Sequence, residues 1–236
     1  MTTPPRILDP RAVPVAGHDN HLPPINPERL TAQALRHLFG LRRDWRAEHA
    51  GDGGRFFPDR VPLQAAVLVP LVQRADGLQV LLTRRTEHLR DHAGQISFPG
   101  GRSEPADAGA IGTALREAAE EVGLPPDRVE VIGEMPIYTT VTHYVVTPVI
   151  GLVHPPFELV VDQSEVAEAF EVPLGWLMDP ANHRRHVFNF EGGERQFLSM
   201  PWRSGDGEYF IWGATAAMLR NLYRCLADEQ QRASPL

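Results

Sequence analysis

The chain predicts an α+β domain in which a mixed β-sheet lies between helices, and three observations carry that expectation. Apolar runs of strand length, such as AAVLVPL at 65–71, are bounded by clusters of Gly, Pro and Asp. Two longer segments, 113–122 and 215–226, repeat their apolar residues at helical spacing. Strands and helices do not alternate regularly along the chain, which points to α+β.

Composition bounds the answer. A chain of 236 residues with 42% hydrophobic content is long enough for one sizeable core. The expected organisation is an extension at 1–60, made of an irregular arm and one helix, a catalytic domain at 61–230 and a short tail at 231–236. A net charge of −7 argues against a nucleic-acid groove, while a local basic patch could still meet a phosphorylated small molecule. The single cysteine, Cys225, excludes an internal disulfide and fits a reducing, cytoplasmic compartment. No apolar run approaches the roughly 20 residues of a membrane-spanning helix, and the first residues lack the basic lead and apolar core of a signal peptide.

Taken in order, residues 1–25 hold too many prolines for a helix or a central strand and read as an irregular arm. Residues 27–41 read as a helix capped by Asn26, with Leu30, Ala34, Leu38 and Leu41 as its apolar stripe. GDGGRFFPDRVP at 51–62 is a loop by composition, with Phe56 and Phe57 packing beneath it. Strands at 65–71 and 78–83 form a hairpin across Ala75, Asp76 and Gly77, which carries Arg84, Arg85 and Arg90 towards the next turn. A short strand at 95–98 enters Pro99-Gly100-Gly101, where glycine lets the chain turn tightly. After a helix at 113–122, closed by Gly123, strands are expected at 129–132, 135–140, 144–152 and 157–161, then a short turn or helix at 164–170. A helix near 172–178, a hairpin from 187–190 and 196–198, a strand at 209–212 and the helix at 215–226 complete the domain.

The helix at 113–122 carries the chemistry. Glu117 and Glu121 stand four apart and Glu117 and Glu120 three apart, so the three carboxylates share one edge while Leu115, Ala118, Ala119 and Val122 face the core. Like charges this close repel, and Arg116 supplies one compensating cation. The remaining charge suits a hard divalent ion with oxygen ligands, Mg²⁺ or Mn²⁺. A solvated acidic face is the commoner meaning of such a cluster, but Gly100 and Gly101 upstream and Gly123 downstream favour the metal. Arg84, Arg85 and Arg90, set beside that site, become candidate phosphate binders, because guanidinium groups match phosphate oxygens in bidentate fashion.

At these residues the chain resembles the Nudix hydrolases, whose signature runs Gly, five residues, Glu, seven residues, Arg-Glu-apolar-x-Glu-Glu-x-Gly-apolar. Arg116, Glu117, Ala118, Glu120, Glu121, Gly123 and Leu124 match in register. Counting from Gly101, the first acid is Asp107 in place of Glu, and eight residues separate it from Arg116. LLTRRTEHLRDHAGQISFPGG at 81–101 resembles the segment that marks the coenzyme A pyrophosphatase branch, with its Leu-Leu-Thr-x-Arg start, Arg90, Gly94 and Phe-Pro-Gly-Gly end; Thr86 departs, where that branch has Ser or Ala.

The resemblance implies a Nudix α/β/α sandwich and metal-dependent hydrolysis of a pyrophosphate bond in coenzyme A or its derivatives. It implies that Glu117, Glu120 and Glu121 hold the metal, that Glu120 takes part in catalysis, that Arg116 fixes a carboxylate, and that Gly100 and Gly101 line the substrate site. The family often draws its general base from a loop outside the signature. Glu165 is the candidate here, against an alternative in which Ser164 or Asp162 caps a helical turn. Two rival functions stay open: the same chemistry on another nucleoside diphosphate linked to X, such as ADP-ribose, and a nucleotide-binding module without turnover. Trp202 and Trp212 could stack on an adenine, although buried aromatics are the commoner reading.

Overall fold

The computed structural model describes residues 7–41, 43–51, 61–88, 94–141, 143–205 and 207–233. Arg90, Phe56 and Phe57 lie outside them. The central layer is an eight-stranded mixed sheet. Its long strands are β2 (Leu63–Arg74), β3 (Gly77–Arg85), β6 (Val129–Glu134), β8 (Tyr144–Val153) and β9 (Val166–Pro173), and the short ones are β4 (Ile96–Ser97), β5 (Gly100–Arg102) and β7 (Tyr138–Thr139). The order β4-β3-β2-β8-β6 is flanked by β5 on β2, β7 on β8 and β9 on β3. β2 and β8 run parallel over ten residue pairs, and the other pairings are antiparallel.

Alternation along these strands separates two cores. Ala66, Leu68, Val72, Leu81 and Val149 pack on one helix, α2 (Gly109–Val122), through Ala114, Ala118 and Val122. The opposite face presents Val69, Leu71, Leu82 and Ile150 to α1 (Ala32–Gly40), α3 (Leu174–Leu177) and the long α4 (Gly213–Ala233). Helices thus flank a mixed sheet, which is the α/β/α sandwich. A second sheet, absent from the sequence reading, lies beyond α4's side of the core. It is antiparallel in the order β1-β10-β11-β12, from Val15–His18, Arg184–Phe190, Gly193–Ser204 and Gly207–Trp212. Leu198, Met200 and Ile211 point inward from it, and Phe188, Phe197 and Trp212 cover Ile7 and Val13 on its other side.

Several sequence expectations need correction. The arm at 1–25 is not wholly irregular, because β1 pairs with β10 at the sheet edge. The helix at 27–41 is broken: Asn26 caps a 3₁₀ turn at Pro27–Leu30, and Thr31, extended at φ −95° and ψ 154°, caps α1 through Ala34 N. The buried stripe is accordingly Leu35, Leu38 and Phe39. Residues 157–161 form no ladder, and Val160 N bonds instead to Val122 O at the end of α2. The turn or helix expected at 164–170 is β9, whose pairing with β3 imposes an extended backbone on a segment of weak preference. Cys225 is buried, and burial pushes its thiol up to about 12, a packing residue rather than a nucleophile. Among the described residues no helix is long and apolar enough to cross a membrane.

Two buried histidines tie distant segments together. Arg220 Nη1 donates to His183 Nδ1 at 3.0 Å, so that nitrogen carries no proton and Nε2–H donates to Leu177 O at 2.7 Å. His186 bonds Val13 O through Nδ1 and the Ser199 hydroxyl through Nε2. Burial lowers the proton affinity of both rings, as does the nearby Arg220 charge for His183. Unfolding frees both to take up protons, so their contribution to stability is complete above about pH 6.5 and falls away as the pH drops through it. NMR titration of the ring protons should place both midpoints below about 6.5; a midpoint at or above that value for either would remove this account.

Candidate active site

The site forms where β5 turns into α2. Gly100 and Gly101 pair with Val67 and Ala66, and a side chain at either would collide: a Cβ on Gly100 would meet Ala66 O at 2.5 Å, and one on Gly101 the Glu117 carboxylate at 2.7 Å. Gly101 therefore lets the acidic helix lie directly on β5, and Gly100 lets β5 close against β2. α2 closes at Gly123, which takes the left-handed conformation at φ 67°.

Arg116 is the organising cation. Its Nε and Nη2 grip the two oxygens of Asp107 at 2.9 and 3.0 Å, and its Nη1 reaches Glu117 and Glu120, each at 2.9 Å. Nη2 also bonds Arg102 O. Asp107 further accepts from Glu104 N and the Thr113 hydroxyl, both at 2.8 Å. These bonds, above all those from Arg116, hold the Asp107 carboxyl well below the usual carboxylate range, and Asp107 in turn raises the proton affinity of the guanidinium. Sequence reasoning left Asp107 without a role. The signal was available in the direction of helical side chains, which lean towards the N-terminus and carry Arg116 back to the loop two residues before α2.

The three glutamates do not share an exposed edge as expected. The Glu120 side chain is 61% exposed, Glu117 17% and Glu121 only 6%. The packed stripe is rotated to Ala114, Ala118 and Val122, with Glu121 buried among them and Ala119 left partly exposed. Burial pushes Glu121 up to about 7, against the pull of Gly100 N, which donates at 3.2 Å, and of Arg85, 3.7 Å away. Glu117 is also raised, by burial first and against Arg116. Glu165 sits near enough to add to both shifts, and its carboxylate lies 3.6 Å from Arg85. Ser164 donates to Asp162 from both its backbone N–H and its hydroxyl, an Asx turn with no helix after it, so the helix cap posed as the alternative is not formed.

The arginines expected to act together are separated. A bulge between Arg84 and Arg85 accompanies their opposite directions from β3. Arg85 faces Glu121 and Glu165, while Arg84 pairs with Glu168 at 2.8 Å, which also accepts from the Tyr209 hydroxyl. Arg90 lies outside the described residues.

Among the described residues no three His, Cys, Asp or Glu side chains stand as a ready-made coordination shell. Glu117 and Glu120 are turned to Arg116 instead. The donor set nonetheless fits a hard divalent cation: carboxylate oxygens, two of them desolvated, converge on one side of α2 with Arg85 and Arg116 as their nearby cations.

Residues 62–190 match the NUDIX domain. The chain belongs to the Nudix hydrolase family. It is 45% identical over 161 residues to the uncharacterised Nudix hydrolase NudL of Escherichia coli K12, covering 67% of this chain and 80% of that protein. The NudL protein of Shigella flexneri is 44% identical over 169 residues, 70% of this chain and 84% of that one. Among solved structures, the Nudix hydrolase RenU from M. smegmatis is similar at 20% identity and a TM-score of 0.45, over 74% of this chain and 89% of that one. As a Nudix pyrophosphohydrolase the chain acts on nucleoside diphosphates linked to a further group, and the family generally uses a divalent metal.

Replacing Glu120 or Glu121 by Gln should lower Mg²⁺-supported turnover at least about a hundredfold. Glu121→Gln should leave the melting temperature unchanged or higher, since it removes a desolvated charge and keeps an acceptor for Gly100 N. Near wild-type turnover in either variant, measured alongside its melting curve, would show that the carboxylate is not a ligand.

Proposed function

We propose that this Nudix hydrolase cleaves the pyrophosphate bond of coenzyme A and its acyl or oxidised forms, releasing 3′,5′-ADP and the 4′-phosphopantetheine part. The observation that carries the reading is the continuity of the 81–101 segment with the acidic helix. That segment resembles the coenzyme A pyrophosphatase branch, and two of its residues, Arg85 and Gly100, touch Glu121. A resemblance that covers strand, turn and helix contact together is more specific than a lone short motif.

In this reading Glu117, Glu120 and Glu121 would hold Mg²⁺ or Mn²⁺, which would supply Lewis-acid polarisation at the phosphoryl group and make the attacking water more acidic. The chain's own residues do the rest. Arg116 fixes Glu117 and Glu120 against Asp107, so that the carboxylates keep their places although they repel one another. Gly101 keeps the Glu117 carboxylate tight against β5, so that the diphosphate binds beside the two glycines and the carboxylates together. Arg85 binds a phosphate oxygen from one side and Arg90 is the second candidate, whereas Arg84, matched by Glu168, takes no part in holding the diphosphate. Glu165 accepts the proton of the attacking water as its oxygen bonds to phosphorus and the bridging P–O bond breaks, giving two phosphomonoesters. Arg85 lies 3.6 Å from the Glu165 carboxylate and so stands beside the proposed base.

Purified protein incubated with coenzyme A and Mg²⁺ or Mn²⁺ should release 3′,5′-ADP, detected by chromatography, faster than it hydrolyses ADP-ribose or dinucleotides. A faster rate on ADP-ribose would move the assignment to that class, and no product from any diphosphate would favour a binding module. Glu165→Gln should reduce kcat by about 10²-fold or more with little change in metal affinity. An unchanged pH–rate profile in that variant would place the base elsewhere.

A further inference from the structure

At the end of β3, on the side of Arg84, lies a cavity of about 440 Å³. It falls within the roughly 300–1,000 Å³ of small-molecule sites. Its wall includes Arg84 and Glu87, which flank Arg85 in sequence, so the cavity adjoins the residue that faces Glu121. Gly94 to Ile96 add to the wall from within the matched residues 62–190, and the rest comes from outside them, with Arg11 from the N-terminal segment and Tyr209, Phe210 and Trp212 from β12.

Three properties define what it takes. Flat surfaces dominate: the Arg11 guanidinium lies 5.2 Å from the Phe210 ring centroid, and Tyr209 stacks on Phe170 with centroids 3.9 Å apart. Both arginines are already matched, Arg11 by Glu208 at 3.0 Å and Arg84 by Glu168 at 2.8 Å. With Asp9, Glu87 and Glu208 in the lining the cavity offers no excess positive charge for a phosphate, so an uncharged planar group suits it better. The third property is a directed acceptor. Gly94, at φ +66°, has no Cβ, and the one it lacks would overlap the Glu87 carboxylate, which can therefore rest against the backbone at the cavity wall. An ionised carboxylate only accepts hydrogen bonds, so it selects an amino edge over an oxo edge.

We propose that this cavity holds the adenine ring of the substrate, stacked in the Arg11 and Phe210 region with its exocyclic amine towards Glu87. The inference rests on the diphosphate lying beside Arg85 at the glutamate helix; it does not require coenzyme A. The N-terminal segment and β12 then give the enzyme its base specificity, while the Nudix residues provide the chemistry.

Calorimetry on the full chain with AMP, IMP and ribose 5-phosphate tests it without turnover. AMP should bind about tenfold or more tightly than either of the others. Glu87→Gln should abolish the preference over IMP, and Arg11→Ala, at an exposed side chain that leaves folding intact, and Phe210→Ala should each reduce the preference over ribose 5-phosphate by about threefold or more. If the three ligands bind alike or not at all, or the variants keep the wild-type ratios, the cavity does not hold the base. Failure to cleave coenzyme A together with an AMP preference that these variants lose removes the coenzyme A assignment and leaves the cavity standing. Cleavage of coenzyme A without any base preference does the reverse.

Discussion

One guanidinium holding three carboxylates is the constraint on which the site depends. Glu117, Glu120 and Asp107 would repel in its absence, and Arg116 offers each a separate donor from a rigid planar fork. A lysine could not do the same, because an ammonium is a point charge without the parallel pair of donors that grips Asp107. The bidentate pair orients the fork, and the leftover Nη1 then lies between the two glutamates. Asp107 is itself fixed by Glu104 N and Thr113, so the order runs from loop to arginine to helix.

Burial then differentiates three residues of one type. Glu120 is in solvent, Glu117 lies at the boundary beside Gly101, and Glu121 is sealed under Gly100 with Arg85 as its distant cation. A desolvated carboxylate favours the proton unless a positive charge replaces the lost water, which is why Glu121 is pushed up to about 7 in the protein alone. A divalent cation held here would reverse that preference, since it would be the largest local charge. The same desolvation that makes Glu121 costly without metal strengthens its attraction to one.

What the sequence made legible followed from local rules. The α2 helix, its Gly123 cap, the hairpin through Asp76 and the closing helix α4 were all readable from periodicity and turn chemistry. The departures share one cause, contacts between distant segments. β9 looked helical because Glu165 and Glu168 are three apart, yet its backbone is spoken for by β3, more than eighty residues earlier. The burial of Glu121 could not be seen because the helix stripe was assigned by apolar residues alone, and the turn at Gly100 covers a glutamate. Arg84 and Arg85 read as a pair, although neighbours on a strand face opposite sides.

The second sheet shows how the two chain ends are brought to the site. β1 and β12 are opposite edges of that sheet, so residues 7–14 must cross its outer face, where Ile7 and Val13 rest on Phe197 and Arg11 reaches Glu208. Apolar contact alone would tolerate sliding. The crossing is fixed instead at its far end by Arg220 of α4, buried and bonded to Asp19, Glu48 and His183, with Arg185 also on Asp19. Breaking such a buried charge cluster by removing one partner costs about 3–5 kcal/mol, which ties Asp19 firmly to α4. Directional bonds at Asp19 set where β1 pairs, β1 sets where the segment before it lies, and that segment reaches β12 beside Arg84. The position of a residue near the start of the chain relative to β3 is thus determined by an arginine more than two hundred residues later.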